Sequence, residues 1–125
     1  MNRYSKGARS ERELLAMLKS RGYSVVRSAG SGISKECPDI VALKDGKILS
    51  FECKAWNKGS LYIEKDQYEA LRRWEENTKS FTFVAWRING KGWFFIRLEE
   101  LNGGKEYKIS KSRVFEINRR IEKVI

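Results

Sequence analysis

The sequence contains no histidine and only two cysteines. The absence of histidine excludes Ser-His-Asp and Cys-His catalysis, zinc sites with histidine ligands, and nucleases that use a histidine general base. Any hydrolytic reaction must therefore depend on carboxylates, lysine and a hard metal ion. Cys37 and Cys53 are not spaced as Cys-x-x-Cys, so neither a zinc site nor a disulfide scaffold is indicated, and a reduced, intracellular protein is expected.

Long apolar runs and linkers are lacking as well. The apolar stretches are only as long as a strand, so no segment should span a bilayer, and the N-terminus has no signal-peptide pattern. No stretch rich in proline, glycine or serine divides the 125 residues. We therefore expect one domain, residues 1–125, and a function that needs two lobes would require a second copy of the chain.

Positive charge is abundant. The chain has 26 Lys and Arg against 16 Asp and Glu, a net charge of +10. Basic residues outnumber acidic ones six to two in residues 1–21 and seven to three in residues 105–123. This excess favours nucleic acid as a partner, bound mainly by the two ends of the chain, over an anionic membrane or an acidic protein.

The hydrophobic pattern predicts the order helix, three strands, helix, two strands, helix, with a short extra strand near residues 106–109. The first helix ends at Gly22, the second covers about residues 64–77, and the last is predicted because Val114, Ile117, Ile121 and Val124 recur at helical spacing. We expect an α/β fold with a central mixed β-sheet of about five strands flanked by helices.

One predicted hairpin, PDIVALKDGKILSFECK (residues 38–54), carries charge at its open end. Asp45-Gly46 favours a type I′ turn, which pairs Lys44 with Lys47. The residue numbers of every cross-strand pair in the hairpin then sum to 91. Asp39 then lies opposite Glu52, and two carboxylates that close need a proton or a cation between them. An exposed, half-polar sheet edge is the alternative explanation.

Glu11 lies within the apolar stripe of the first helix at ~100° per residue. Leu14, Leu15 and Leu18 fall close to it, whereas Glu13 is expected to point to solvent. A carboxylate in a core-facing stripe is unfavourable unless it is paired or binds a cation, so Glu11 is a third candidate ligand. Alternatively, it only stabilises the N-terminal end of the helix dipole.

A carboxylate on the first helix, then PD and ExK, resembles the PD-(D/E)xK nuclease superfamily. More closely, KGARSERELLAMLKSRGYSVVRSAGS with PDIVAL and FECKA resembles the archaeal Holliday junction resolvases of the Hjc type. The resemblance covers nearly the whole chain. It implies a restriction-endonuclease-like fold and a homodimer that cuts two opposing strands of a four-way DNA junction with magnesium, leaving 5′-phosphates, in recombination and repair.

The resemblance also implies site residues. Glu11, Asp39 and Glu52 would bind Mg²⁺, with Mn²⁺ as a substitute, and Lys54 would be the catalytic lysine. Arg12, Arg27 and Ser31 match positions near the scissile phosphate, and Arg87 matches a basic position on a later strand. The backbone carbonyl of Cys53 is a further candidate ligand because it follows Glu52.

Phosphate contacts are expected from Arg9, Arg12, Arg27, Lys35 and Lys58, which would give affinity without sequence specificity. Gln67 either hydrogen-bonds near the site or only caps a strand end. The clustered aromatic residues are expected to be mostly core, with some forming the dimer contact: Trp74, Trp86, Trp93, Phe94 and Phe95. A cytoplasmic, nucleoid-associated protein is expected.

Two other functions remain open at this point. One is another PD-(D/E)xK nuclease that acts on duplex or flap DNA. The other is a non-catalytic, basic DNA-binding module in which the carboxylates are structural.

Overall fold

The computed structural model describes residues 3–28 and 36–125, without the side chains of residues 3–6. Its α-helices are α1 (Arg3–Ser20), α2 (Lys65–Thr78) and α3 (Lys111–Ile117). Its strands are β1 (Ser24–Arg27), β2 (Ile40–Lys44), β3 (Lys47–Lys54), β4 (Ser60–Glu64), β5 (Phe81–Ile88), β6 (Gly92–Arg97) and β7 (Glu106–Ser110). Single 3-10 turns lie at Leu98–Glu100 and Ile121–Lys123. Among the described residues, no helix is long and apolar enough to cross a membrane.

Five strands form one mixed sheet in the order β1-β2-β3-β5-β6. The β3–β5 pair is parallel and the other neighbours are antiparallel. The predicted α/β class with a central mixed sheet of about five strands is therefore confirmed. The sequence analysis missed β4, which pairs with β7 in a separate two-stranded ribbon, because that pairing joins segments more than forty residues apart and leaves only a short local pattern.

The predicted turn and register of the β2–β3 hairpin are confirmed. Asp45 and Gly46 have φ angles of 49° and 81°, as a type I′ turn requires at both central positions. Lys44 pairs with Lys47, and the ladder runs to Ile40 opposite Phe51. This register sets the position of every side chain at the open end of the hairpin.

Each face of the sheet carries its own hydrophobic core. On one face, Leu14 and Leu18 of α1 pack with Leu49 and Phe51 of β3. On the other face, Leu71 of α2 packs with Val84 and Trp86 of β5 and with the β4–β7 ribbon. Side chains alternate along a strand, so β3, the middle strand of the sheet, directs Leu49 and Phe51 to the α1 face. Its neighbours Ser50 and Glu52 point to the α2 face.

The prediction of one continuous last helix was wrong. The helix α3 ends at Ile117, and Asn118 follows in the left-handed conformation with φ 48°. Val114 belongs to the α2-face core, whereas Ile121 and Val124 pack in the α1-face core. A straight helix cannot pack against both faces of one sheet, so the chain turns at Asn118 and crosses the end of the sheet.

Candidate active site

Asp39 and Glu52 lie at the end of the central hairpin. The confirmed register, extended by one residue, places Asp39 opposite Glu52. Ser28 donates its backbone N–H to the Asp39 carbonyl at 2.9 Å, which fixes Asp39 beside the end of β1. Its carboxylate Oδ2 accepts the backbone N–H of Cys53 at 2.8 Å. The Asp39 side chain thus supplies the acceptor for the Cys53 N–H just beyond the end of the paired register.

Glu52 is a buried carboxylate, with only 6% of its surface exposed. Gln67 of α2 donates its side-chain amide to Glu52 Oε2 at 2.6 Å, and the Lys54 ammonium lies 3.9 Å from the same oxygen. Burial and the charge of Asp39 raise the pKa of Glu52 to about 8, against the opposing effects of Lys54 and Gln67. Glu52 is therefore held where its ionised form is destabilised.

Asp39 shares this environment. Burial raises its pKa above the ordinary value, the hydrogen bond from Cys53 opposes that change, and the negative charge of Glu11 adds to it. Burial and a neighbouring negative charge, that of Asp39 for Glu52 and that of Glu11 for Asp39, favour the protonated carboxyl groups. Such shifts are typical of functional sites, because a neutral pair or a pair bridged by a cation is the stable arrangement.

Glu11 faces the sheet, with 19% of its side chain exposed, but it is paired with Arg27. Arg27 Nε donates to Glu11 Oε1 at 2.7 Å. Within residues 3–28 and 36–125, no three acidic, cysteine or histidine side chains converge closely enough to hold one metal ion. The charge of Glu11 still acts on Asp39, and its assignment as a ligand stays a prediction.

The Asp39–Glu52 pair fits a magnesium ion by its chemistry. The donors are oxygens only, their ionised forms need a compensating positive charge, and Mg²⁺ is commonly bound by one or two carboxylates with water completing the shell. Asp39 and Glu52 would therefore suffice as side-chain ligands. Glu11 would join them only after leaving Arg27, and the Cys53 carbonyl stays a candidate.

The residues predicted to contact DNA are only partly gathered around this pair. Arg27 is close to it through Glu11. Arg9 and Arg12 are exposed on α1, and Lys58 is exposed in the loop after β3. Ser31 and Lys35 lie outside the described residues.

Arg87 is in a different environment, because Glu13 neutralises it. Arg87 donates to both carboxylate oxygens of Glu13, at 3.0 and 3.4 Å, and this contact lowers the pKa of Glu13. The Trp93 indole donates to Glu13 as well, at 2.7 Å. Glu13 is exposed, as expected, but its carboxylate also accepts hydrogen bonds from β5 and β6, which the helical periodicity did not predict. A role for Arg87 in DNA binding stays a prediction.

One group of hydrogen-bonded residues near Glu52 was missed. Trp74 of α2 donates its indole N–H to Ser50 at 2.9 Å, and Ser50 shares a 2.6 Å hydrogen bond with Ser80. Trp74 and Gln67 are two helical turns apart, and Ser50 and Glu52 are two strand positions apart, so α2 is attached to β3 at two points. Periodicity identified the face of α2 but not the polar partners across from it.

Most of the clustered aromatic residues are core, as expected. Trp86, Trp93, Phe94 and Phe95 are each less than 5% exposed. They pack within the two cores of the single chain, which leaves little of their surface for a partner. The large apolar side chains that remain exposed among the described residues are Val26, Leu43, Tyr62, Phe81, Phe115 and Ile125.

The family model described as "Archaeal holliday junction resolvase (hjc)" matches residues 2–125. The chain belongs to this family. It is therefore an endonuclease, and the interpretation as a non-catalytic module is set aside. The resemblance to the Hjc type is confirmed.

Curated relatives and a solved structure agree with this assignment. The chain is 36% identical to a crossover junction endodeoxyribonuclease Hjc of Methanocaldococcus jannaschii, over 86% of this chain and 78% of the relative. It is 36% identical to an Hjc of Archaeoglobus fulgidus, over 86% and 81%. The solved structure of Archaeoglobus fulgidus Hjc, described as a Holliday junction resolvase, matches with a TM-score of 0.84 at 32% identity, covering 95% of this chain and 94% of that one.

A bacterial homing endonuclease shares the fold. Its structure matches with a TM-score of 0.55 at 15% identity, over 88% of this chain and 76% of that one. The restriction-endonuclease-like fold of a single domain is thereby confirmed.

Proposed function

We propose that this endonuclease resolves four-way DNA junctions by paired, symmetric, magnesium-dependent cleavage of two opposing strands. The observation that carries the proposal is the opposed carboxylate pair, half-buried Asp39 and buried Glu52, with Lys54 beside it. Cleavage would leave 5′-phosphates that a ligase can seal, which suits a role in recombination and repair. Mn²⁺ would substitute for Mg²⁺.

The residues of the chain have distinct tasks in this proposal. Asp39 and Glu52 hold the metal, which supplies Lewis-acid stabilisation of charge on the phosphoryl oxygens. The Cys53 N–H fixes the orientation of the Asp39 carboxylate, and Gln67 fixes that of Glu52. Lys54 neutralises the scissile phosphate or orients the attacking water from the same face of β3.

The basic residues predicted to contact phosphates would hold the DNA backbone. Arg9, Arg12 and Arg27 lie on α1 and β1, and Lys58 lies beyond the end of β3. Contacts of this kind contribute affinity that falls with salt, without a sequence preference. Arg27 would exchange Glu11 for a phosphate oxygen when DNA binds, which would release Glu11 for the metal.

Two cuts in one junction require two active sites, so we propose a homodimer. An apolar strip on the α2 face of the sheet, across β1, β2 and the start of β3, supports a second copy as its occupant: Val26, Val41, Leu43 and Ile48. Val26 and Leu43 keep 58% and 40% of their surfaces exposed. The strip lies on the same hairpin as Asp39 and Glu52, so contact there would hold the two active sites at a fixed spacing.

Cleavage can be tested with a synthetic four-way junction, labelled on each strand in turn, in the presence of Mg²⁺. The native chain should nick two opposing strands at symmetric positions, and DNA ligase should reseal the products. Asp39→Asn should bind the junction and nick far more slowly. Asp45→Asn is the matched control, since the same substitution in the exposed turn keeps a good type I′ sequence.

Two outcomes would overturn the proposal. Equal cleavage of a linear duplex of the same sequence would favour the alternative of a general duplex or flap nuclease. Undiminished nicking by Asp39→Asn would remove the Asp39–Glu52 pair from the reaction.

The dimer has its own test by light scattering after size exclusion. The native chain should elute with twice the chain mass, and Val26→Asp should shift it toward the monomer. Phe81→Asp is the control, because Phe81 is similarly exposed, at 59%, but lies on the α1 face of the sheet. Loss of the dimer in Phe81→Asp with retention in Val26→Asp would place the contact elsewhere.

A further inference from the structure

Trp56 lies two residues beyond Lys54 and contacts it through its ring. The Lys54 ammonium is 5.7 Å from the centroid of the Trp56 ring and 3.9 Å from Glu52 Oε2. An ammonium group within about 6 Å of a ring centroid is attracted to the π-system, most strongly for tryptophan. Lys54 is therefore held between a carboxylate and an indole, and only 22% of its side chain is exposed.

The ring of Trp56 is itself fixed by neighbours. The indole N–H of Trp86, a fully buried residue, donates to the Trp56 backbone carbonyl at 3.1 Å. Tyr62 of β4 packs against the Trp56 ring with centroids 5.4 Å apart. Trp56 also packs against the α2-face core. The Trp56 backbone is thus bonded to β5 and its ring packs on the β4–β7 ribbon, which gives the ring a defined position beside β3.

The choice of tryptophan here is not explained by packing alone. The Trp56 indole N–H is buried with no hydrogen-bond partner among the described residues. A buried donor without an acceptor is unfavourable for stability, and phenylalanine would fill the same place without that penalty. The property that tryptophan adds is its stronger attraction for a cation. Two ammonium groups lie over the ring, Lys58 at 5.4 Å from its centroid and Lys54 at 5.7 Å, and Lys54 is the one that also contacts Glu52.

We propose that Trp56 is a positioning residue for Lys54 and holds its ammonium on the Glu52 side, ready for the scissile phosphate. The inference rests on the catalytic role of Lys54 in the proposed function. Without the ring, the lysine chain would sample other rotamers, and the ammonium would spend less time at the reacting phosphate. Substrate affinity would be nearly unaffected, because the change concerns the reaction step.

The test is a double-mutant cycle on single-turnover nicking of a four-way junction, with enzyme and Mg²⁺ saturating. Trp56→Leu should slow nicking about tenfold, the size expected from losing one partly buried cation–π contact. Trp56→Tyr and Trp56→Phe should fall between Trp56→Leu and the native chain. In a Lys54→Met background, Trp56→Leu should slow nicking no further, because the two residues act as a unit.

Phe115→Leu serves as the control for removing a partly exposed aromatic ring, since Phe115 packs on Phe94 in another part of the chain. Junction affinity and the melting temperature are recorded for every variant. A variant that does not fold is replaced in the cycle by Trp56→Phe, which keeps the shape of the core.

The outcomes separate the two proposals. If Trp56→Leu slows nicking equally in the native and Lys54→Met backgrounds, Trp56 acts through general packing and the positioning role is overturned. The same conclusion follows if Trp56→Tyr and Trp56→Phe are no faster than Trp56→Leu. If Lys54→Met itself nicks at the native rate, the catalytic role of Lys54 fails, and the positioning role fails with it.

Discussion

Replacing Glu52 by glutamine should stabilise the metal-free protein while abolishing its cleavage activity. Glu52 is buried, with its pKa raised to about 8 first by burial and then by the charge of Asp39. Glutamine has the same shape, carries no charge, and keeps an oxygen that accepts the Gln67 amide. The substitution therefore removes the unfavourable ionisation and leaves the packing in place.

The direction in which the free energy of unfolding changes with pH follows from proton linkage. Between the ordinary pKa of 4.5 and about 8, the folded protein keeps the Glu52 proton that the unfolded chain releases. The free energy of unfolding of the native chain therefore falls as pH rises, by about 1.4 kcal/mol per pH unit. The advantage of Glu52→Gln should be absent below pH 4.5, grow across this window, and reach at most about 5 kcal/mol above pH 8.

Urea unfolding in EDTA, at constant ionic strength and at several pH values from 5 to 9, measures this difference. Glu69→Gln is the control, because it makes the same chemical change at an exposed position of α2. If Glu52→Gln gains no stability over the native chain as pH rises, the inference that folding disfavours the ionised form of Glu52 is refuted. Added Mg²⁺ should stabilise the native chain more than Glu52→Gln, since the variant has lost one carboxylate.

Three further variants test the surroundings of the pair. Gln67→Leu should slow nicking about tenfold, because Glu52 loses a hydrogen bond to its charged form; single-turnover kinetics would show it, and an unchanged rate would make Gln67 dispensable. Ser50→Ala should lower the free energy of unfolding by about 1–3 kcal/mol, since the Trp74 indole loses its buried acceptor. Urea unfolding checks this, and a neutral result would mean that another acceptor replaces Ser50. Asn118→Val should destabilise by about 1–2 kcal/mol because φ at this position is 48°, whereas Asn118→Gly should not; equal melting temperatures of the two would contradict this explanation.

The hairpin was predictable because its determinants are local. Asp45-Gly46 selects the turn, the turn sets the register, and the register opposes Asp39 and Glu52. The sheet-facing position of Glu11 followed in the same way from helical periodicity.

The features that the sequence analysis missed have one cause, which is contact between distant parts of the chain. Ile121 and Val124 continue a helical spacing, yet they fill the opposite face of the sheet from Val114. Arg87 and Trp93 reach Glu13 from strands more than seventy residues away. Neither arrangement leaves a periodic signal near the residues concerned.

The sequence by itself determined the absence of histidine chemistry, the basic charge, the turn register and the motif that joins PD to ExK. The tertiary structure decided what each charged group meets. It paired Glu11 with Arg27, placed Gln67 and Lys54 on Glu52, and set Trp56 beside Lys54. Spacing along a strand or helix orients a side chain, but its pKa and its partners depend on burial and on groups that only folding brings near.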